Sequence, residues 1–186
     1  MTRKETTVSS DLIYTGKTIQ LRVDTVEMPN KGYQKREIIE HKGAVAIVAI
    51  TDDNKIVLVK QYRKAVEKEL YELPAGKIEI GENPLDCAIR ELKEETGYST
   101  DSLKLIHKYY TSPGFSNQMV FIYLAKNLIP GERNLEEDEF LEVYEMDIKE
   151  AYNMIMSNEI CDSKTVIGLL LTKELLHNTK DNAGLL

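Results

Sequence analysis

The stretch that decides the fold is Gly76–Tyr98, which reads GKIEIGENPLDCAIRELKEETGY. Its first third holds two glycines and predicts an irregular loop. The remainder predicts a helix over residues 84–96, because Asn83 is suited to cap a helix and Pro84 to open it. Gly97 then supplies the left-handed residue at which helices commonly stop. The sequence therefore predicts a loop that turns directly into a capped helix.

One side of this predicted helix combines acidic and apolar side chains. The apolar residues recur with the spacing i, i+3, i+4, i+7, which predicts one buried face made of Leu85, Ala88, Ile89 and Leu92. At about 100° per residue, three carboxylates fall on one side of the helix beside that face, namely Glu91, Glu94 and Glu95. Like charges at these spacings repel one another, so a compensating positive charge is expected.

Two sources of positive charge fit the sequence. The first is Arg90 with Lys93, which would leave an ordinary solvated helix face. The second is a hard cation such as Mg²⁺ or Mn²⁺, which prefers carboxylate and carbonyl oxygens. An exposed carbonyl of the Ala75-Gly76 turn would then complete the coordination shell. The cluster of carboxylates next to this turn favours the second interpretation, in which loop and helix form one metal site.

The rest of the chain predicts an α+β fold, a mixed sheet with helices on its faces. Residues 1–42 are expected to form an N-terminal antiparallel β-ribbon, and residues 43–186 the catalytic domain. The predicted strands cover residues 19–28, 33–41, 43–50, 55–62, 70–74, 103–111, 119–125 and 141–146. Two further amphipathic helices are predicted near residues 148–157 and 164–177.

Composition narrows the function classes. A chain of 186 residues with 42% hydrophobic content can close one core, and its net charge of −7 argues against binding along nucleic-acid phosphates. No apolar run approaches the roughly 20 residues that span a bilayer. The two cysteines, Cys87 and Cys161, are too few for a disulfide framework and fit a reducing compartment. We expect a cytoplasmic protein with neither nucleic acid nor membrane as a partner.

The fixed positions of Gly76–Tyr98 resemble a known signature. They run Gly76, five residues, Glu82, seven residues, Arg90-Glu91-Leu92, one residue, Glu94-Glu95, one residue, Gly97-Tyr98. This pattern resembles the Nudix box, with Tyr98 in place of the more usual aliphatic residue. The resemblance implies an α/β/α Nudix sandwich and metal-dependent hydrolysis of a diphosphate linkage.

The same resemblance implies roles for the matching residues. Glu91, Glu94 and Glu95 would bind the metal, and Ala75 would add its carbonyl. Gly76, Glu82, Arg90 and Gly97 would be structural, with Glu82 fixing the loop through Arg90. The implied cofactor is Mg²⁺, two or three ions, with Mn²⁺ as a substitute.

A proline loop is similar to that of the ADP-ribose pyrophosphatase branch of the family. Pro113 lies fifteen residues beyond Tyr98, within Ser112-Pro113-Gly114-Phe115-Ser116-Asn117. The similarity implies substrate binding by Ser112, Pro113 and Gly114. On local sequence alone, the same loop would be an ordinary proline turn between strands.

Two further features are similar to that branch. An acidic loop, Glu136-Glu137-Asp138-Glu139, would supply the base that takes a proton from water, with Glu139 the better match and Glu137 the alternative. Arg63 would contact the diphosphate, since a guanidinium can bond two phosphate oxygens at once. Arg36 would serve the nucleotide end, in a homodimer with exchanged N-terminal strands.

The implied reaction is hydrolysis of ADP-ribose to AMP and ribose 5-phosphate by in-line attack of water on phosphorus. Three alternatives stay open. The substrate could be another nucleoside diphosphate derivative, such as a nucleotide sugar or a dinucleoside polyphosphate. The chain could instead be a non-catalytic sensor of ADP-ribose, or a structural protein with an acidic surface helix. The complete set of glutamates in the box argues against the last two.

Overall fold

Two sheets and three helices make up the described part of a computed structural model, which covers residues 4–135 and 140–182. The strands are β1 (Thr6–Thr15), β2 (Gln20–Glu27), β3 (Tyr33–Glu40), β4 (Ala44–Ile50), β5 (Lys55–Arg63), β6 (Lys68–Glu72), β7 (Ala75–Lys77), β8 (Ser102–Tyr110), β9 (Met119–Lys126) and β10 (Leu141–Asp147). The helices are α1 (Pro84–Thr96), α2 (Ile148–Met156) and α3 (Ser163–Asn182). No helix within these ranges is both long and apolar enough to cross a membrane.

The chain divides into two compact units. Unit 1 holds the residues up to Gly43 together with Tyr109–Val120, and unit 2 holds Ala44–Lys108 and the residues from Phe121 onward. The tip of the β8–β9 hairpin therefore belongs to unit 1. The division of the chain at residue 42 into ribbon and catalytic domain stays a prediction.

Unit 1 is built on an antiparallel sheet in the order β1-β2-β3. The turn between β2 and β3 closes through a hydrogen bond from the Met28 amide to the Gly32 carbonyl (2.7 Å), with Lys31 at a positive φ of 67°. Strand β1 was not predicted as a separate strand. All ten of its residues are exposed, so it shows none of the alternation that marks a half-buried strand.

Unit 2 is built on a seven-stranded sheet. Its main order is β10-β5-β4-β9-β8, with β6 paired to β5 and β7 paired to β4. Strand β4 is a nearly continuous apolar run because both of its faces are covered. Val45, Ile47 and Ala49 pack in a cluster with Cys87, Ala88 and Leu92 of α1. On the other side, a Cβ at Gly168 of α3 would lie 3.0 Å from Val48.

Helices therefore cover opposite faces of the sheet, which confirms the expected α+β class and the α/β/α sandwich. The strand predicted at residues 70–74 begins two residues earlier and ends at Glu72. An irregular loop is expected over residues 75–82, but its start is wrong, because Ala75–Lys77 pairs with β4 as strand β7. The pairing depends on a distant strand, and two small residues give little local signal for it.

The predicted bounds of α1 are confirmed, but its predicted buried face is partly wrong. Ala88 and Leu92 are buried, whereas Leu85 and Ile89 are 38% and 44% exposed. The buried side is turned by roughly a quarter turn toward Cys87, Glu91 and Glu95. Two carboxylates that the sequence placed beside the apolar face thus belong to the buried side of the helix.

Candidate active site

Helix α1 begins and ends through local contacts in unit 2. The Leu85 amide donates to Oδ1 of Asn83 (2.7 Å), which satisfies one of the unpaired donors at the helix start. At the other end, Gly97 has φ of 78° and its amide donates to the Lys93 carbonyl (2.8 Å). A Cβ at Gly97 would lie 2.5 Å from the Gly131 carbonyl oxygen. Gly97 is therefore required by both backbone conformation and close packing.

Arg90 supplies positive charge to three carboxylates. Its Nε and Nη2 donate to Glu82 (2.9 and 3.1 Å), which ties the loop to the helix. Its Nη1 donates to Glu91 (2.8 Å) and to Glu94 (2.9 Å). The hydrogen bonds from Arg90 lower the pKa of Glu82 from 4.5 to about 2, and the same contacts raise the pKa of Arg90. Arg90 thereby provides the compensation that the acidic face requires.

Two of the carboxylates are buried against the loop. Glu91 and Glu95 are 7% and 3% exposed. Oε2 of Glu95 accepts a hydrogen bond from the Ala75 amide (2.8 Å), so α1 is tied to β7. A Cβ at Gly76 would lie only 1.7 Å from Oε1 of Glu91, so the Glu91 carboxylate lies directly on the glycine backbone. Loop and helix therefore form one structural unit around these acids.

The chemistry of these donors fits a hard divalent cation. Carboxylate oxygens of Glu91 and Glu94 already share one positive group, Nη1 of Arg90. Glu95 and the backbone at Ala75 lie on the same side of the helix, and oxygen ligands of this kind suit Mg²⁺ and Mn²⁺. Within residues 4–135 and 140–182, no three acidic, histidine or cysteine side chains converge closely enough to form a metal cluster by themselves.

A buried ion cluster lies beside the box, at the end of β6. Glu72 is 1% exposed and accepts hydrogen bonds from Nε and Nη2 of Arg63 (2.7 and 2.6 Å). Nζ of Lys164, in the first turn of α3, donates to the same carboxylate and lies 3.1 Å from Asp162. Sequence reasoning assigned a role to Arg63 but none to Glu72 or Lys164. The sequence signal for Glu72 was an acidic residue between Tyr71 and Leu73, in a strand that is otherwise half-buried.

The charges in this cluster shift each other's titration. Burial alone raises the pKa of Glu72, but Arg63 and Lys164 outweigh it and hold that pKa below its ordinary value. The hydrogen bonds to Glu72 raise the pKa of Arg63, and the charge of Glu95 adds to that increase. Glu72 is therefore an ionised group inside the protein, and Arg63 lies within electrostatic reach of the box.

The described residues on either side of the predicted acidic loop contact the box and β5. The Asn134 amide donates to the Glu94 carbonyl (3.2 Å), and after the loop Leu141 pairs with Gln61 in β5. Glu137 and Glu139, the two predicted bases, lie outside the described residues together with Glu136 and Asp138.

Unit 1 contains a pocket of about 480 Å³, whose lining includes the predicted Arg36, Pro113 and Gly114. Arg36 donates to both carboxylate oxygens of Glu5 (2.9 and 2.8 Å), which lowers the pKa of Glu5. The proline loop is tied to β3 by a hydrogen bond from the Ile39 amide to the Phe115 carbonyl (2.7 Å). The Ser112 carbonyl accepts from the amides three and four residues later, at Phe115 (3.0 Å) and Ser116 (2.8 Å).

The predicted residues thus fall into separate groups. In unit 2 the structure brings together Ala75, Gly76, Glu82, Arg90, Glu91, Glu94, Glu95 and Gly97 around α1. Arg63 belongs to the neighbouring ion cluster of unit 2. In unit 1 the structure brings Arg36 together with the proline loop.

Comparison with known proteins identifies the class to which this fold and site belong. The NUDIX domain family matches residues 40–164, which is more than half of the chain. The chain therefore belongs to the Nudix family and is a hydrolase of that family.

Individual relatives extend the similarity over nearly the whole chain. An ADP-ribose pyrophosphatase of Bacillus subtilis is 45% identical over 181 residues, covering 95% of this chain and 98% of that protein. A methanol dehydrogenase activator of Bacillus methanolicus is 46% identical, covering 89% of this chain and 91% of that protein. A crystal structure of an ADP compounds hydrolase has the same fold, with a TM-score of 0.84 at 24% identity, over 95% of this chain and 96% of that one.

Proposed function

We propose that this chain hydrolyses the diphosphate linkage of ADP-ribose, giving AMP and ribose 5-phosphate. The observation that carries the proposal is the end-to-end similarity to an ADP-ribose pyrophosphatase. The box around Glu91 and Glu95 supplies the chemistry that every Nudix substrate needs. The choice of ADP-ribose over other nucleotides rests on that relative and on the proline loop.

The proposed cofactor is Mg²⁺, two or three ions, with Mn²⁺ as a substitute. Glu91, Glu94 and Glu95 would hold it, with the carbonyl of Ala75. When bound, the cations would neutralise phosphate charge and acidify the attacking water. Arg90 would keep the glutamates apart and oriented, because it already bonds two of them and the Glu82 loop.

The proposed base is Glu139 or Glu137. A carboxylate must come within hydrogen-bond reach of the water to take its proton. The described residues that flank the acidic segment support this proposal, since the Asn134 amide donates to the Glu94 carbonyl and Leu141 pairs with Gln61 of β5.

Arg63 is proposed to contact the diphosphate, and the pocket of unit 1 to bind another part of the nucleotide. Arg36, Pro113 and Gly114 line that pocket, and Ser112 forms its turn. The pocket also carries Tyr110 and Phe115, whose rings are large apolar surfaces. A site that combines guanidinium groups with aromatic rings suits an anionic nucleotide.

We also propose that the enzyme is a cytoplasmic homodimer with exchanged N-terminal strands. Strand β1 lies at the edge of its sheet and exposes large apolar side chains, including Val8, Leu12, Ile13 and Tyr14, each about 60% exposed. Long apolar edge strands are templates for pairing with another chain. The two cysteines are both free thiols, which agrees with a reducing compartment.

A hydrolysis screen tests the proposal. The purified chain with Mg²⁺ is offered ADP-ribose, nucleotide sugars, dinucleoside polyphosphates and nucleoside triphosphates, and the products are identified. ADP-ribose should be the best substrate and should yield AMP and ribose 5-phosphate. Preference for a nucleotide sugar would replace the substrate while leaving the diphosphate chemistry in place.

The metal site is tested by Glu95→Gln, which keeps the size of the side chain and its bond to the Ala75 amide. We expect turnover to fall at least about a hundredfold, as when a group that stabilises transition-state charge is lost. Circular dichroism and thermal melting should show a folded protein. Near-normal turnover in a folded variant would refute the metal-site assignment.

The two candidate bases are compared through Glu139→Gln and Glu137→Gln at saturating Mg²⁺. The true base should lower turnover by about 10² to 10⁴, whereas its neighbour should change it little. Equal and mild losses in both variants would exclude both.

The similarity to a methanol dehydrogenase activator favours a second candidate function, activation of a dehydrogenase. It is tested by adding the chain to a methanol dehydrogenase assay, with Glu95→Gln as the control. Activation by wild type and by the variant alike would indicate binding rather than hydrolysis.

A further inference from the structure

A buried carboxylate with two cationic partners stands next to the box and has no part in the reaction proposed above. Glu72 is 1% exposed, and its carboxylate accepts from Arg63 through two hydrogen bonds and from Lys164 through one. An ionised carboxylate loses its hydration when it is buried, and only well-aligned partners compensate for that loss. The alignment of these three groups is therefore strongly constrained.

The two cations differ in how much of them reaches solvent. The side chain of Lys164 is only 14% exposed, whereas that of Arg63 is 42% exposed. Lys164 is also held by Asp162, whose carboxylate accepts from the amide (3.0 Å) and hydroxyl (2.6 Å) of Thr165 in the first turn of α3. The Thr165 hydroxyl in turn accepts from the Leu73 amide (2.8 Å), next to Glu72. Lys164 and the first turn of α3 therefore hold Glu72 on the side away from solvent.

The bidentate contact orients the guanidinium of Arg63. Glu72 occupies the edge formed by Nε and Nη2, so the edge formed by Nη1 and Nη2 points away from Glu72. A guanidinium edge of this kind matches two oxygens of a phosphate.

The chain after Glu72 leads straight to the box. Three residues further on, the Ala75 amide donates to Glu95, one of the proposed metal ligands. Three extended residues span about 10 Å at most. Glu72 orients the guanidinium of Arg63, and the backbone that follows Glu72 binds Glu95 through the Ala75 amide. One short segment of chain therefore positions both side chains.

We propose that Glu72 is a positioning residue, which with Lys164 behind it holds the Arg63 guanidinium in the orientation that binds the diphosphate. The inference rests on the proposed function, because it assumes that Arg63 contacts the substrate. It goes further by assigning binding energy to a buried carboxylate and to the first turn of α3. Neither group touches substrate; both act through Arg63.

A double-mutant cycle on Arg63→Ala and Glu72→Gln tests this relation. Wild type, the two single variants and the double variant are compared by kcat and KM for ADP-ribose with Mg²⁺, and by calorimetric titration of ADP-ribose in EDTA. Glu69→Gln is the matched control, since Glu69 also lies on β6 and pairs with a lysine, Lys60, but at the surface. Thermal melting of each variant separates folding from function.

We expect Glu72→Gln to raise both KM and the dissociation constant roughly tenfold, close to the effect of Arg63→Ala, and to lower kcat less. The double variant should be no worse than Arg63→Ala alone to within about twofold, because Glu72 then has nothing left to position. Glu69→Gln should leave KM unchanged. Effects that multiply in the double variant, or an unchanged KM in folded Glu72→Gln, would overturn the inference.

Glu72→Asp covers the case in which Glu72→Gln does not fold. It keeps the buried charge and both cations but withdraws the carboxylate by one methylene, so KM should rise while the protein stays folded. An unchanged KM in folded Glu72→Asp would also overturn the inference. Failure of wild type to hydrolyse or bind ADP-ribose would instead refute the proposed function itself, whatever the variants do.

Discussion

Gly76 shows how a single residue allows the helix of the box to pack against the preceding strand. Its missing side chain leaves room for the carboxylate of Glu91, which lies where a Cβ would be. Arg90 then balances the charge of that carboxylate and of two others. At the scale of the residue, the structure explains the spacing seen in the sequence. Gly76, Glu91 and Arg90 each make a contact that requires a residue of that type.

We expect Gly76→Ala to abolish most activity. The added Cβ would lie 1.7 Å from Oε1 and 1.8 Å from Cδ of Glu91, so the carboxylate or the backbone must move. Displacement of a catalytic group by about 1 Å can cost about a hundredfold in rate. Turnover and thermal melting are measured beside Gly32→Ala, where the new Cβ would meet only the flexible Asn30 side chain at 3.3 Å. Equal turnover in the two variants would contradict the prediction.

The ion pair between Glu82 and Arg90 should make stability depend on pH in the acid range. The pKa of Glu82 is about 2 in the folded protein, against an ordinary value of 4.5 that the unfolded chain should show. The unfolded state therefore takes up the proton first as pH falls. The contribution of Glu82 is complete above about pH 5 and is lost between pH 4.5 and about 2.

Urea unfolding at a series of pH values measures this contribution. At pH 7, Glu82→Gln should be less stable than wild type, and the difference in free energy of unfolding should shrink as pH falls toward 2. A constant difference across that range would show that the two states hold Glu82 with the same pKa.

At the scale of the element, helix α1 has ends set by local contacts and a face set by its surroundings. Asn83, Pro84 and Gly97 predicted its bounds, because capping involves groups only a few residues apart. The apolar stripe predicted the buried face only in part, since Leu85 and Ile89 are exposed. Glu91 and Glu95 are buried instead, because Arg90 and the Ala75 amide satisfy them. Polar contacts with the loop have outweighed part of the hydrophobic pattern.

Removal of the helix cap should destabilise the protein without changing its chemistry. Asn83→Ala leaves the Leu85 amide without its acceptor, and we expect a loss of about 1 kcal/mol in the free energy of unfolding. Asn83→Asp keeps an acceptor at the same position and serves as the control. Urea denaturation measures both variants, and a stability of Asn83→Ala equal to that of wild type would show that the cap contributes nothing.

At the scale of the whole molecule, the two units differ in how well their sheets are covered. Unit 2 encloses its central strands between helices on both faces of the sheet. Unit 1 presents an edge strand whose residues are all exposed. Exposed apolar edges are usually covered or paired in stable proteins. This contrast underlies the proposed homodimer.

Leu12→Lys should weaken that dimer. Leu12 is 61% exposed on β1, and a lysine there would place a charge among the apolar groups of the proposed interface. Light scattering after size-exclusion chromatography should show wild type as a dimer and the variant shifted toward monomer. Ile80→Lys is the control, because Ile80 is 86% exposed but lies in unit 2. A monomeric wild type would refute the homodimer.

The sequence by itself determined the features that depend on spacing along the chain. The box from Gly76 to Tyr98 identified the family, and the residues around α1 predicted its limits. The α+β class followed from the periodicity of the predicted strands and helices, because periodicity reflects the geometry of each element.

Only the tertiary structure decided which distant residues meet. The turn of α1 toward its carboxylates, the pairing of β7 with β4, and the strand β1 all depend on partners elsewhere in the chain. The cluster of Arg63, Glu72 and Lys164 joins residues of β5, β6 and α3, which are far apart in the sequence. A local sequence pattern does not predict this cluster. A buried ion pair is stabilised by three-dimensional alignment and by exclusion of water, and neither depends on spacing along the chain.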